Sequence, residues 1–173
     1  MLPRSCASRL ESLRSRSRRP MSTRQTVTIR PARIAEVEQV VHMFEWLFAP
    51  PGTRPPRWEA RRAVQALRRA ISSDAAVVLI AECEGRLVGV GTVYDDFESV
   101  RFGRRAWVED LAVDPARRSL GIGKLLLDAA KDWGRARGAT RLELESAEAR
   151  ADAHRFYQRE TPSWRSECFG WEL

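Results

Sequence analysis

The chain has 173 residues, 43% hydrophobic and 31% charged, a balance that fits one soluble globular domain with a sizeable core and excludes a disordered chain. Its longest purely apolar run, Ala75 to Ala81, is far short of the ~20 residues a membrane-crossing helix needs. The formal charge of +7 suggests nucleic acid until it is divided: residues 1–20 carry six arginines against Glu11, while the remainder holds 24 basic and 22 acidic side chains, so the basicity belongs to a tail and not to a binding face.

That Arg/Ser-rich tail fits an organellar transit peptide, an RNA-attracting arm, or upstream translated sequence ahead of a start at Met21. The last is favoured, because Met21 directly precedes the first strand-like segment and an excess of 28 Arg over 2 Lys suggests a GC-rich genome. Residues 1–24 are expected to be disordered, with the folded domain over 25–173.

In chain order, Val27 to Arg30 reads as a first strand. Pro31 opens a helical stretch to about Phe48, with Val37, Val40, Val41, Phe44 and Phe48 at helical spacing. Residues 49–57, APPGTRPPR, form a Pro/Gly loop, and a second helix covers about Trp58 to Ile71. Two strands follow, Ala76 to Glu84 and Arg86 to Tyr94, with Glu84-Gly85 as the hairpin turn. Arg105 to Val113 is another strand, closed by Asp114-Pro115. Ile122, Leu125, Leu126, Ala129 and Trp133 then mark an amphipathic helix that Gly138 ends. Arg141 to Glu145 is a strand, Ala149 to Arg159 a helix, and Ser166 to Leu173 a last strand. The order predicts an α/β fold, a mixed central sheet with helices on both faces.

Cys6, Cys83 and Cys168 have no paired spacing, which argues against a disulfide framework and a zinc site, and no metal is expected. Cys83 and Cys168 lie in strand-like stretches and are expected to be buried thiols. A reducing cytoplasm is the compartment this implies.

The most informative segment is Arg117-Arg118-Ser119-Leu120-Gly121-Ile122-Gly123-Lys124, between a strand and a helix. Gly121 and Gly123 let backbone approach a ligand, and the free amides of the helix's first turn favour an anion. Arg118 and Lys124 add positive charge, so the residues describe a pyrophosphate site. A Walker A loop requires Gly where Arg118 stands and Ser/Thr where Leu125 stands. A dinucleotide fingerprint requires Gly or Ala where Leu126 stands. Both readings fail.

The pattern Arg118-x-x-Gly121-x-Gly123, preceded by Val108-Glu109-Asp110-Leu111-Ala112-Val113 and followed by Ala153-His154-Arg155-Phe156-Tyr157, resembles the acetyl-CoA motifs of the GNAT superfamily of N-acetyltransferases. The resemblance covers about residues 25–173. It implies a single-domain fold whose sheet splays between the fourth and fifth strands, with acetyl-CoA in the gap. By resemblance, backbone groups of Leu111, Ala112 and Val113 would hold the pantetheine. The segment of Arg118, Ser119, Gly121, Ile122, Gly123 and Lys124 would hold the pyrophosphate.

Acetyl transfer to an amine requires removing a proton from an ammonium of pKa ~10 and giving one to a leaving thiolate. The resemblance makes Tyr157 the acid. Glu109 is the leading base, with Asp110 an acceptor-binding residue, because two adjacent carboxylates in an apolar strand are costly without a purpose. Strand alternation places Trp107, Glu109 and Leu111 on one face, and Val108, Asp110 and Ala112 on the other. Either carboxylate also has Arg105 or Arg141 as an available scaffold partner. His154 reads as a solvated helix position and His42 as scaffold. Trp46 and Trp58, flanking the Pro-rich loop, suit either an acceptor pocket or staples of that loop.

The sequence departs from the family pattern at Arg150, where many members carry Asn, and at Glu160-Thr161-Pro162-Ser163-Trp164, which replaces a Gly-Phe after the Tyr. A short or irregular sixth strand is expected. The leading function is acetyl-CoA-dependent N-acetylation of a primary amine on a small molecule. Protein or peptide N-acetylation and a non-catalytic acyl-CoA sensor are the alternatives. A homodimer is a family expectation, and neither a membrane nor a nucleic-acid partner is expected.

Overall fold

The computed structural model describes residues 26–171. The expectations for the tail and for the end of the last strand lie outside those residues. Five strands form one sheet in the order β1-β2-β3-β4-β5: β1 Val27–Pro31, β2 Ala76–Cys83, β3 Arg86–Ser99, β4 Gly103–Val113 and β5 Arg141–Leu144. The first four pair antiparallel, and β5 joins β4 in parallel. The helices are α1 Val37–Met43, α2 Glu45–Phe48, α3 Ala60–Ile71, α4 Ile122–Ala136 and α5 Ala151–Arg159.

Both faces of the sheet are covered. Val78, Ile80, Val90 and Ala112 pack with Val37, Val40 and Leu67 of α1 and α3. Val77, Leu79, Ala81, Val93 and Val108 pack with Ile122, Leu126 and Ala130 of α4. The apolar run in β2 is therefore a strand buried on both sides. Glu84 and Gly85 both take positive φ, the conformation a two-residue hairpin turn demands.

The structure departs from the sequence reading in three places. The helical stretch after Pro31 breaks into a 3-10 turn at Ile34–Glu36, then α1 and α2. The Phe44 amide bonds back to Val41, and the Phe44 ring stacks on Trp58 at 5.7 Å. The third strand runs on to Ser99, well past the expected Tyr94.

The expected last strand is absent among the described residues. After α5 the chain turns at Thr161, at positive φ, and Pro162, and β5 offers an edge of only four residues. Cys168 is consequently exposed rather than buried, beside Glu145, whose carboxylate pushes the thiol pKa up. Cys83 is buried.

The seat of α4 on the sheet depends on Gly89. A Cβ there would lie 3.0 Å from Leu126 Cδ1 and 3.1 Å from Ile122 Cγ2. Since α4 begins at the candidate anion-binding turn, Gly89 sets how closely that turn approaches the sheet. Gly89→Val is expected to lower stability by about 1–3 kcal/mol through overpacking, read as a lower urea midpoint with an unchanged slope.

Candidate active site

The geometry of the site begins with β4. Its parallel pairing with β5 runs from Arg105 opposite Arg141 to Val108 opposite Leu144 and stops there, while its pairing with β3 continues to Val113. On the β5 side, the β4 backbone from Glu109 onward faces a gap. Pairing with β3 also slips at this point. Thr92 opposes Asp110 and Val93 opposes Val108, so Glu109 is the extra residue of a β-bulge.

The bulge overturns the expected alternation. Val108 packs on the α4 face and Ala112 on the α1/α3 face, because the inserted residue shifts the parity of the strand. Leu111 also packs toward α4, away from the face expected for it. Trp107 and Glu109 do meet: the indole Nε1–H donates to Glu109 Oε2 at 2.6 Å.

A cleft of about 290 Å³ opens at the bulge. Glu109, Asp110 and Leu111 line it from β4, Glu145 and Ser146 from the end of β5, and Arg150 and Tyr157 from α5; Leu47, Phe48, Thr53 and Pro55 close the far side. Neither Trp46 nor Trp58 lines it. Trp58 packs edge-on against Phe48 at 4.6 Å and acts as a staple of the loop. His154 is half-buried, its Nε2 3.1 Å from the Ser146 carbonyl, and not the solvated position expected.

The two carboxylates are differently held. Glu109 is exposed. Asp110 is half-buried, and the buried Thr92 hydroxyl both donates to its Oδ2 at 2.6 Å and accepts from its amide at 3.1 Å. Burial raises the Asp110 pKa, Thr92 opposes the shift, and the Glu109 charge adds to it. Neither arginine expected as a scaffold partner is taken by them: Arg105 pairs with Asp96 and Glu143, and Arg141 with Glu143. Burial also pushes the Tyr157 pKa up, against a smaller opposing effect of the Arg150 charge, so the phenol keeps its proton at neutral pH.

At the other end of the gap, Ser119 and Gly121 both take positive φ and turn the chain into α4. Gly121 is the N-cap, and no side chain caps the helix. The first-turn amides thus lack intrahelical acceptors and face outward. Arg118 is exposed beside them. These features fit a pyrophosphate. The Lys124 ammonium reaches Asp128 at 2.7 Å and Glu160 at 3.3 Å, tying α4 to the end of α5. Where a Cβ on Gly123 would sit, the Phe156 ring of α5 lies 3.5 Å away.

Sequence reasoning missed Thr92, Trp107, Glu145 and Ser146 as parts of this site. Thr92 alone had a local signal, a hydroxyl inside an otherwise apolar strand. Among the described residues, no group of three or more His, Cys, Asp or Glu is placed to hold a metal, and no helix is long and apolar enough to cross a membrane.

The raised pKa of Asp110 has a consequence for stability. A carboxyl that binds its proton more tightly when folded costs stability wherever it is ionised in both states, and the cost fades as pH falls through the raised folded value and is gone below the unfolded value near ~3.9. Asp110→Asn is therefore expected to raise Tm at pH 7, with the gain shrinking toward pH 3, as scanning calorimetry across pH would show.

Against known proteins, residues 38–161 match the model of the acetyltransferase (GNAT) family. The chain is 46% identical over 59 residues to the N-acetyltransferase YhdJ of Bacillus subtilis (strain 168), spanning 34% of this chain and 42% of that protein. It is 32% identical over 87 residues to streptothricin acetyltransferase of Streptomyces lavendulae, spanning 50% of this chain and 44% of that protein. The chain thus spans less than half the length of either relative. The aminoglycoside N-acetyltransferase AAC(6')-Iy, solved in complex with CoA, superposes with a TM-score of 0.75 at 15% identity, covering 86% of this chain and 95% of that one, a likeness of fold. With the family match extending over most of the chain and the splayed sheet and glycine turn in place, the protein belongs to the acetyltransferase (GNAT) family.

Proposed function

We propose that this protein is an acetyl-CoA-dependent N-acetyltransferase acting on a primary amine of a cationic small molecule. The observation that carries this reading is the convergence of Glu109, Asp110 and Tyr157 on one cleft at the point where β4 leaves β5. Glu145 adds a third carboxylate to the lining, against the single cation of Arg150, so the cleft favours a positively charged acceptor. The relative that acetylates streptothricin and the aminoglycoside-acetylating structural neighbour are consistent with such an acceptor.

Acetyl-CoA, when bound, supplies an activated thioester. Leu111, Ala112 and Val113 would hold its pantetheine arm through the backbone groups that β5 leaves unpaired. The turn of Arg118, Ser119, Gly121, Ile122, Gly123 and Lys124 would hold its pyrophosphate. Asp110, fixed by Thr92, receives the acceptor's ammonium. Glu109, exposed to the cleft and steadied by Trp107, takes the proton that the amine must lose before it attacks. Tyr157, still protonated at neutral pH, holds the proton for the departing sulfur.

The test is thiol release from acetyl-CoA across spermidine, kanamycin, streptothricin, lysine and short peptides. Turnover with a cationic small molecule supports the reading. Turnover only with peptides replaces the acceptor class, and acetyl-CoA binding with no turnover favours a protein acceptor or a sensor. Tyr157→Phe is expected to lower kcat about 100-fold while leaving acetyl-CoA affinity unchanged in calorimetry. Glu109→Gln is expected to lower kcat and to change the pH dependence of kcat/KM. A pH profile identical to the parent enzyme would remove Glu109 from the mechanism.

A further inference from the structure

Arg150 stands where many family members carry Asn, and it makes a contact between segments 103 residues apart in the chain: its Nη2 donates to the Leu47 carbonyl at 2.9 Å. Its own position is rigid. It is the N-cap of α5; its amide donates to Ala147 at 2.9 Å and its carbonyl accepts from His154 at 3.0 Å. The far end of the contact is the C-terminal turn of α2, where the Pro-rich loop begins. Gly52 in that loop is shaped around it: a Cβ there would fall 1.8 Å from the Leu47 oxygen and 2.8 Å from Arg150 Nη2. Arg54 ties the same loop to Glu45 and lies over the Phe48 ring, but both partners belong to α2, so Arg54 makes loop and helix move together. Arg150 is the tie that reaches across the cleft from α5 to the opposite wall.

We propose that Arg150 is a positioning residue that clasps α2 and the Pro-rich loop to α5 and thereby sets the width of the acceptor end of the cleft, and with it the choice of amine. Leu47, Phe48, Thr53 and Pro55 reach the cleft from the clasped side, so releasing the clasp moves four lining residues and leaves Glu109, Asp110 and the turn at Gly121 in place. The role in amine choice rests on the acetyltransfer reading; the clasp itself does not.

Two variants separate the contact from mere packing. Arg150→Met keeps the apolar stem and removes the donors, and Arg150→Lys keeps a donor able to reach the same carbonyl. Hydrogen exchange of the full chain is expected to show faster exchange over residues 47–57 in Arg150→Met, partial recovery in Arg150→Lys, and faster exchange again in Gly52→Ala. Unchanged exchange over 47–57 in Arg150→Met overturns the clasp, whether or not any amine is turned over.

In steady-state kinetics with kanamycin and spermidine, Arg150→Met is expected to raise the amine KM, against the fall that loss of a cation from an acidic cleft would cause alone, to change the ratio between the two amines, and to leave acetyl-CoA affinity within about twofold. An equal loss of acetyl-CoA affinity overturns the assignment to the acceptor side. Absence of turnover by the parent enzyme with every amine and peptide overturns the acetyltransfer reading, and the exchange experiment still decides the clasp.

Discussion

The cleft depends on β4 changing its hydrogen bonding partway along its length. Up to Val108 it is bonded on both edges; beyond that it keeps β3 and loses β5. Backbone donors and acceptors left without partners are costly unless water or a ligand meets them, so a strand that abandons one neighbour mid-sheet marks a place where something else is meant to bind. The bulge sits at the same residue. A bulge increases local twist and re-aims side chains, which lets the chain leave β5 while holding register with β3. Without it, Glu109 and Asp110 would point to opposite faces.

The electrostatics follow from that geometry. Burial pushes the Asp110 pKa up, and the neighbouring Glu109 charge adds to it. Thr92 is the counterweight, with one hydroxyl satisfying both the amide and the carboxylate of Asp110. The two arginines of the neighbouring strands are engaged elsewhere. Arg105 is enclosed by Asp96, Glu143 and the rings of Phe97 and Trp107, and Arg141 is engaged by Glu143. The pair of carboxylates is therefore left to face the cleft. A site that withholds available partners from its own charges trades stability for function.

Much of this fold is legible in the sequence because its signals are local. The apolar run of β2, the Glu84-Gly85 turn, the helical period of α4 and the glycines before it each specify their own conformation. The bulge is different. It is a mismatch of register between β3 and β4, and nothing in Val108-Glu109-Asp110 signals it without knowing which residue lies opposite. Arg150 shows the same limit: its departure from the family pattern can be read, but its partner lies 103 residues away. The last strand, which does not form over the described residues 166–171, is the converse case. Residues 166–173 have a strand's composition, but a strand also needs an edge to pair with, and β5 supplies four residues.

The two ends of the site are held at a fixed distance by one short helix. On α5, adjacent residues serve different ends: Phe156 packs over Gly123 in the first turn of α4, while Tyr157 lines the cleft. Successive helical side chains diverge by about 100°, so one turn of α5 touches both the glycine turn and the cleft. Lys124 strengthens the coupling through Glu160 at the C-terminal end of α5. Its ammonium, paired with Asp128 as well, links the two helices beside the glycine turn. A Cβ at position 123 would meet the Phe156 ring at 3.5 Å, an ordinary van der Waals contact, so this packing alone does not demand glycine there. The seating of α5 on α4 through Phe156 and Glu160 sets the spacing between the glycine turn and the cleft.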